Sequence, residues 1–109
     1  MSMVYISGPI SNTNDAPARF AAAEAQLSDL GYRVANPITL GLNLQAHLGR
    51  EPTCEEYLRA DMATLLKCDF VAALLGWKAS PGARRELAIA KWTGIPAKLI
   101  DDFRKCVKV

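Results

Sequence analysis

The chain has 109 residues, half of them hydrophobic, and its thirteen basic and eleven acidic side chains leave a formal charge of +2. That length supports one compact domain able to bury roughly 65% of its extended-chain surface, and leaves no room for a second. The near balance of charge, with no long run of either sign, argues against a nucleic-acid groove or a polybasic membrane face and favours a small-molecule partner.

Met3 to Ser7 reads as a short buried strand that ends at Gly8-Pro9. Ser11, Asn12, Asn14 and Asp15 then supply loop and capping chemistry for a helix whose apolar positions Phe20, Ala23, Leu27 and Leu30 step by three or four. Gly31 stands where a left-handed C-terminal residue is expected. Tyr32 to Ala35 makes a second strand, stopped by Asn36-Pro37. Ile38 to Pro52 is the least regular stretch and the longest connection, which predicts a functional loop or lid with room for partial helix. Thr53 opens the next helix with Glu56 at capping-box spacing; Leu58, Met62, Leu65 and Leu66 form its expected inner stripe, with Asp61 at the border. Asp69 to Leu75 is a third strand. Ser80 caps and Pro81 begins a third helix running to Thr93, Ile95 to Ile100 is a fourth strand, and Asp101 to Val109 is expected to be a short helix.

Strands alternating with helices through short connections imply right-handed crossovers, hence an α/β fold with a parallel sheet of four to five strands and helices on both faces. In such sheets ligands bind beyond the carboxyl ends of the strands, where Gly8, Asn36 and Ser80 emerge. Cys54, Cys68 and Cys106 are odd in number and lack a C-x-x-C pair, so neither a disulfide framework nor a zinc site is indicated, and His47 is the sole histidine. No metal or cofactor is therefore expected. No secretion signal opens the chain and no apolar run reaches the ~20 residues of a membrane span, which points to a cytoplasmic protein.

Glu86 is the residue that demands an explanation. At 100° per residue from Ala83, Ala90, Leu87 and Ile89 fall at about 340°, 40° and 240°, and Glu86 falls at about 300°, on the side that should meet the sheet. A carboxylate in that position either suits the positive helix start or loses hydration for a functional purpose. Two further groups converge on the same edge. Tyr5 is either a core aromatic with its hydroxyl satisfied at the rim or a partner of the acid; Asp61 is either an ion-pair partner of Arg59 or Arg33 or a member of the site. Asp69, just ahead of a strand, belongs at the opposite, amino end. The loop Ser80-Pro81-Gly82 offers a hydroxyl and backbone N–H groups at a helix start, suited to a phosphate or a hydroxylated sugar. It matches neither G-x-G-x-x-G nor the P-loop pattern.

In order along the chain, Tyr5-Ile6-Ser7-Gly8-Pro9-Ile10, Asn36-Pro37, Tyr57-Leu58-Arg59-Ala60-Asp61, Lys67-Cys68-Asp69, Ser80 to Ala90 and Gly94-Ile95-Pro96 together resemble the nucleoside 2-deoxyribosyltransferase-like superfamily, most closely its short DUF4406 branch. The resemblance implies a flavodoxin-like three-layer fold and cleavage of an N-glycosidic bond in a nucleoside or nucleoside 5'-monophosphate, by hydrolysis or transfer. It implies that Glu86 is the nucleophile, that Tyr5 orients it, and that Asp61 holds sugar or base. Gly8, Pro9 and Ile10 would form the wall against the nucleobase, with Asn36, Ser80 and Gly82 as further binding positions. Serine at position 80 resembles the hydrolases acting on monophosphates, whereas Ser11 departs from their arginine; Arg19, Arg84, Arg85 or a neighbouring subunit would then have to meet the phosphate. A homo-oligomer is implied too. The alternatives are a nucleotide-binding module without turnover and an interaction scaffold anchored by Trp77 and Trp92.

Overall fold

The computed structural model describes residues 2–11 and 13–105. Four strands, β1 (Met3–Ser7), β2 (Arg33–Ala35), β3 (Phe70–Ala73) and β4 (Ala97–Leu99), form one all-parallel sheet in the order β2-β1-β3-β4. Four helices connect or flank them: α1 (Ala16–Asp29), α2 (Pro37–Leu48), α3 (Cys54–Leu65) and α4 (Pro81–Trp92). The result is a flavodoxin-like three-layer α/β fold.

The alternation of β1 builds both halves of the core. Val4 and Ile6 point to one face, where Phe20, Ala23 and Leu27 of α1 pack with Ala72, Leu74, Ile100 and Phe103. Tyr5 and Ser7 point to the other, where Leu65 of α3, Cys68, Val71 and Ala90 of α4 pack around Tyr5. Chain order runs from β1 outward to β2 on one side and, by way of β3, to β4 on the other. The carboxyl ends of β1 and β3 therefore form the point where the winding reverses, the position at which such sheets open a ligand crevice.

Local chemistry sets the helix starts. The Asn36 side chain accepts the Ile38 N–H at 3.0 Å with Pro37 in the first turn of α2. Thr53 and Glu56 make the expected reciprocal capping box on α3, at 3.1 and 2.9 Å. Ser80 Oγ accepts the Ala83 N–H at 3.2 Å ahead of Pro81 in α4. Asp69 lies at the amino end of the sheet as predicted, accepting the Met3 N–H at 2.9 Å. Cys68 is buried, its thiol pushed up to about 11, first by burial and then by the charge of Asp69.

Three expectations need correction. Ile38 to Pro52 is not an irregular lid; most of it is α2, and only Pro37 of that helix is buried. Ile38 and Leu40 at its start pack against the core, but beyond them its inward side faces the cleft, which leaves Leu42 exposed and weakens the apolar stripe that periodicity detects. On α3, Leu65 is buried and Met62 packs against the core as expected, but Leu58 and Leu66 are exposed, the cleft-facing side being formed by Cys54, Tyr57 and Asp61. Of the expected helix over Asp101 to Val109, the described residues show a single 3-10 turn, Ile100–Asp102, after which Phe103 turns into the core. There it meets Tyr32 and Phe70 edge-on at 5.6 and 6.1 Å. Residues 106–109, including Cys106, lie outside the described part.

Candidate active site

The floor of the site is assembled by strand parity. Tyr5 and Ser7, two residues apart on β1, point to the same face, and both are fully buried. Across from them, Ala83 and Ala90 are buried on the inner side of α4, and Glu86 lies between them at i+3 and i−4. Two alanines let the helix approach the sheet closely enough for a glutamate to reach the strand. Tyr5 Oη donates to Glu86 Oε2 at 2.5 Å and Ser7 Oγ donates to Glu86 Oε1 at 2.7 Å. Each carboxylate oxygen keeps a further lone pair for a ligand.

Charge here is expensive and deliberately supported. Burial raises the Glu86 pKa above the usual carboxylate range, while the hydrogen bonds from Tyr5 and Ser7 and the charge of Arg85 pull it back. The Tyr5 hydroxyl is raised far above its ordinary value by burial and then by the charge of Glu86, so it remains a donor at all relevant pH. Asp61 is pushed up to about 7, first by burial and second by the charge of Glu86. Among the described residues it has no hydrogen-bond partner, and it pairs with neither Arg59 nor Arg33: the one ion pair there is Arg50 with Glu56 at 2.8 Å. That pair is exposed; its hydrogen bond holds Glu56 down to about 2.

Glu86 and Asp61 open into a cleft of about 1000 Å³ beyond the strand ends. Its walls are Gly8 to Ser11 with Thr13, the inward sides of α2 and α3, and the Gly76-to-Ala83 segment that leads into α4. Of the residues singled out from the sequence, Gly8, Pro9, Ile10, Asp61, Ser80, Gly82 and Glu86 line it. Tyr5 does not; it acts from behind, on Glu86. Asn36 does not either. Its carbonyl oxygen caps α2 and its amide donates to Glu24 Oε1 at 3.0 Å, so both ends of the side chain are engaged in structure.

The expected phosphate position is poorly equipped. Pro81 has no N–H, the Ala83 N–H goes to Ser80 Oγ, and the Arg84 N–H goes to the Ser80 carbonyl at 2.9 Å. Only the Gly82 N–H is left at that helix start. No lysine, arginine or histidine is among the lining residues. Arg19 donates to the Leu75 carbonyl at 2.7 Å, and Arg84 lines a separate shallow groove with Trp77 and Lys91. Trp92 stands almost wholly exposed.

Sequence reasoning missed Ser7, whose parity with Tyr5 gives its face but not its role. It also missed Tyr57 and Cys54, which share the cleft face of α3 with Asp61 at i−4 and i−7. Among the described residues no group of three or more histidine, cysteine, aspartate or glutamate side chains could hold a metal ion, and no helix is long and apolar enough to cross a membrane.

Fold and site together define a doubly wound α/β domain with a paired-carboxylate cleft at its switch point. The model of a family described as a domain of unknown function (DUF4406) matches residues 2–99, and the chain belongs to that family. Comparison with curated proteins finds no match.

Proposed function

We propose that the domain is an enzyme that cleaves the N-glycosidic bond of a nucleoside, with Glu86 as nucleophile, in the manner of the nucleoside 2-deoxyribosyltransferase-like superfamily. The observation that carries this reading is a half-buried glutamate held at both oxygens by Tyr5 and Ser7 while opening into a ligand-sized cleft. Ionised Glu86 attacks the anomeric carbon through an oxocarbenium-like transition state. The electrons of the breaking C–N bond pass to the base nitrogen, which takes a proton from Asp61. A carboxyl that ionises at about 7 is matched to that donation near neutral pH. Water then attacks the same carbon, Asp61 recovers the proton, and the sugar and free Glu86 are released; a second base in place of water gives transfer.

Two acids and no lining cation favour an uncharged nucleoside over its 5'-monophosphate. A phosphate would meet like charge and a single free N–H at the start of α4. The exposed Ile10 and Leu42 at the cleft suit cover by a second copy of the chain, hence a homo-oligomer, and free thiols at Cys54 and Cys68 suit a cytoplasmic location.

The test is a panel of ribo- and deoxyribonucleosides with their 5'-monophosphates, followed by chromatography for free base. Base is expected from nucleosides, at a lower rate from monophosphates, and not from the Glu86→Ala variant. Undiminished release by Glu86→Ala would remove that residue from the mechanism. Binding without release from any substrate would leave a nucleotide-binding module in place of an enzyme.

A further inference from the structure

Tyr57 is the one aromatic side chain among the cleft-lining residues. It lies one helical turn before Asp61, about 6 Å along the α3 axis, on the same face. The hydrogen bond to Glu51 raises its phenol pKa most, followed by burial, the charge of Glu51 and last the charge of Asp61. The ring is fixed at two points. Its hydroxyl donates to Glu51 Oε1 at 2.9 Å. Its Cδ1–Cε1 edge rests on α2 at Gly41, where an added Cβ would come within 3.2 Å of Cε1 and 3.7 Å of Cδ1.

Gly41 sits in the interior of α2, a position where glycine is less stable than alanine and so calls for a reason. Close seating of the Tyr57 ring supplies one. A ring held by its tip and one edge keeps its face for a ligand, and its two side-chain torsions are already restricted before anything binds.

We infer that Tyr57, seated on Gly41 and tethered by Glu51, is the stacking platform for the planar heterocycle of the ligand. This deepens the reading of the cleft as a nucleoside site and rests on it for the kind of ligand. The order along the floor is then nucleophile, acid and platform: the sugar carbon at Glu86, the base nitrogen within reach of Asp61, and the heterocycle over Tyr57. Because every base presents a π face, such a platform accepts purines and pyrimidines alike and favours the larger purine ring by contact area.

The experiment uses calorimetric titration of the full chain with free adenine, hypoxanthine, thymine and cytosine, with deoxyribose as the ligand lacking a ring. Tyr57→Leu, which keeps an apolar side chain of substantial volume but has no π face, is expected to weaken base binding about 5- to 150-fold. Tyr57→Phe keeps binding within about threefold, since only the Glu51 tether is lost. Deoxyribose binding is the same in all three proteins. Equal base binding by wild type and Tyr57→Leu overturns the inference, and so does absence of base binding to the wild type. The glycosidase reading is scored separately. Loss of base binding in Tyr57→Leu, with no base release from any nucleoside by the wild type, keeps the platform and sinks the enzyme. Base release with a KM unchanged by Tyr57→Leu does the reverse.

Discussion

Replacing Asp61 with asparagine should make the protein more stable at alkaline pH and, on the proposed mechanism, abolish release of the base. An aspartate that ionises at about 7 in the fold, against ~3.9 for an unperturbed one, opposes folding once it is charged. Both states bind the proton below about pH 4, so the penalty is absent there. It grows as pH rises from the unfolded value toward the folded one, where the unfolded chain alone has lost the proton, and is complete above about 7. The full difference corresponds to ~4 kcal/mol. Asp61 is only half-buried and water at the cleft screens it, which reduces the expected figure to about 2 kcal/mol. Urea unfolding of wild type and Asp61→Asn at about pH 4.5 and pH 8 isolates this contribution, because titrations common to both proteins cancel in the difference. The variant should gain about 1.5 kcal/mol relative to wild type between those two conditions, since part of the penalty is already present at pH 4.5. A stability difference that is the same at both, or that turns against the variant at pH 8, would refute the claim that Asp61 is held charged at a cost to the fold. The trade of stability for a poised acid is what an active site predicts and a surface ion pair does not.

Removing either positioning hydroxyl, by Tyr5→Phe or Ser7→Ala, strips a hydrogen bond that favours the ionised form of Glu86 and so raises its pKa further. The acid limb of the pH–rate profile should move to higher pH, and kcat should fall about tenfold for each, a loss of ~1.4 kcal/mol; an unmoved limb would deny them that role. Gly8→Ala should destabilise by ~1–3 kcal/mol in a thermal melt, since the new Cβ would lie 2.9 Å from Leu74 Cβ, an atom fixed to the backbone. Gly82→Ala is the matched contrast: the nearest atom to its added Cβ is Ser80 Oγ at 4.0 Å, so stability should hold or rise by up to ~1 kcal/mol.

Where side chains face a dry core, the sequence carried the fold. The run Met3 to Ser7, the three-and-four spacing of Phe20, Ala23 and Leu27, and the caps at Thr53 and Ser80 each correspond to an element of the expected type. The misreadings of α2 and α3 fall where burial gives no apolar signal. The inward side of α2 borders a cleft, so its leucines do not form a stripe and the segment resembles a loop. On α3 the leucines Leu58 and Leu66 suggested the wrong face, because the face that looks inward carries Cys54, Tyr57 and Asp61. Phe103 ended the expected terminal helix by docking against Tyr32 and Phe70, a long-range contact that no local pattern announces.

The same logic explains which parts of the site were legible. Glu86 could be found because it breaks a rule: a carboxylate at about 300° on an otherwise apolar face is a local conflict, and such conflicts concentrate where function overrides stability. Ser7 breaks none. A serine ending a strand before Gly8-Pro9 looks like ordinary turn chemistry, and its importance appears only when α4 is laid across β1 so that its hydroxyl and that of Tyr5 take one carboxylate oxygen each. Asn36 errs in the opposite direction. Its emergence at the carboxyl edge of β2 was correct, but the sequence could not show that α2 begins one residue later and consumes the side chain as a cap. A polar residue at a strand end is thus a site candidate only after the next helix has taken the donors and acceptors it needs, and here that subtraction leaves Glu86, Asp61 and the rim they share.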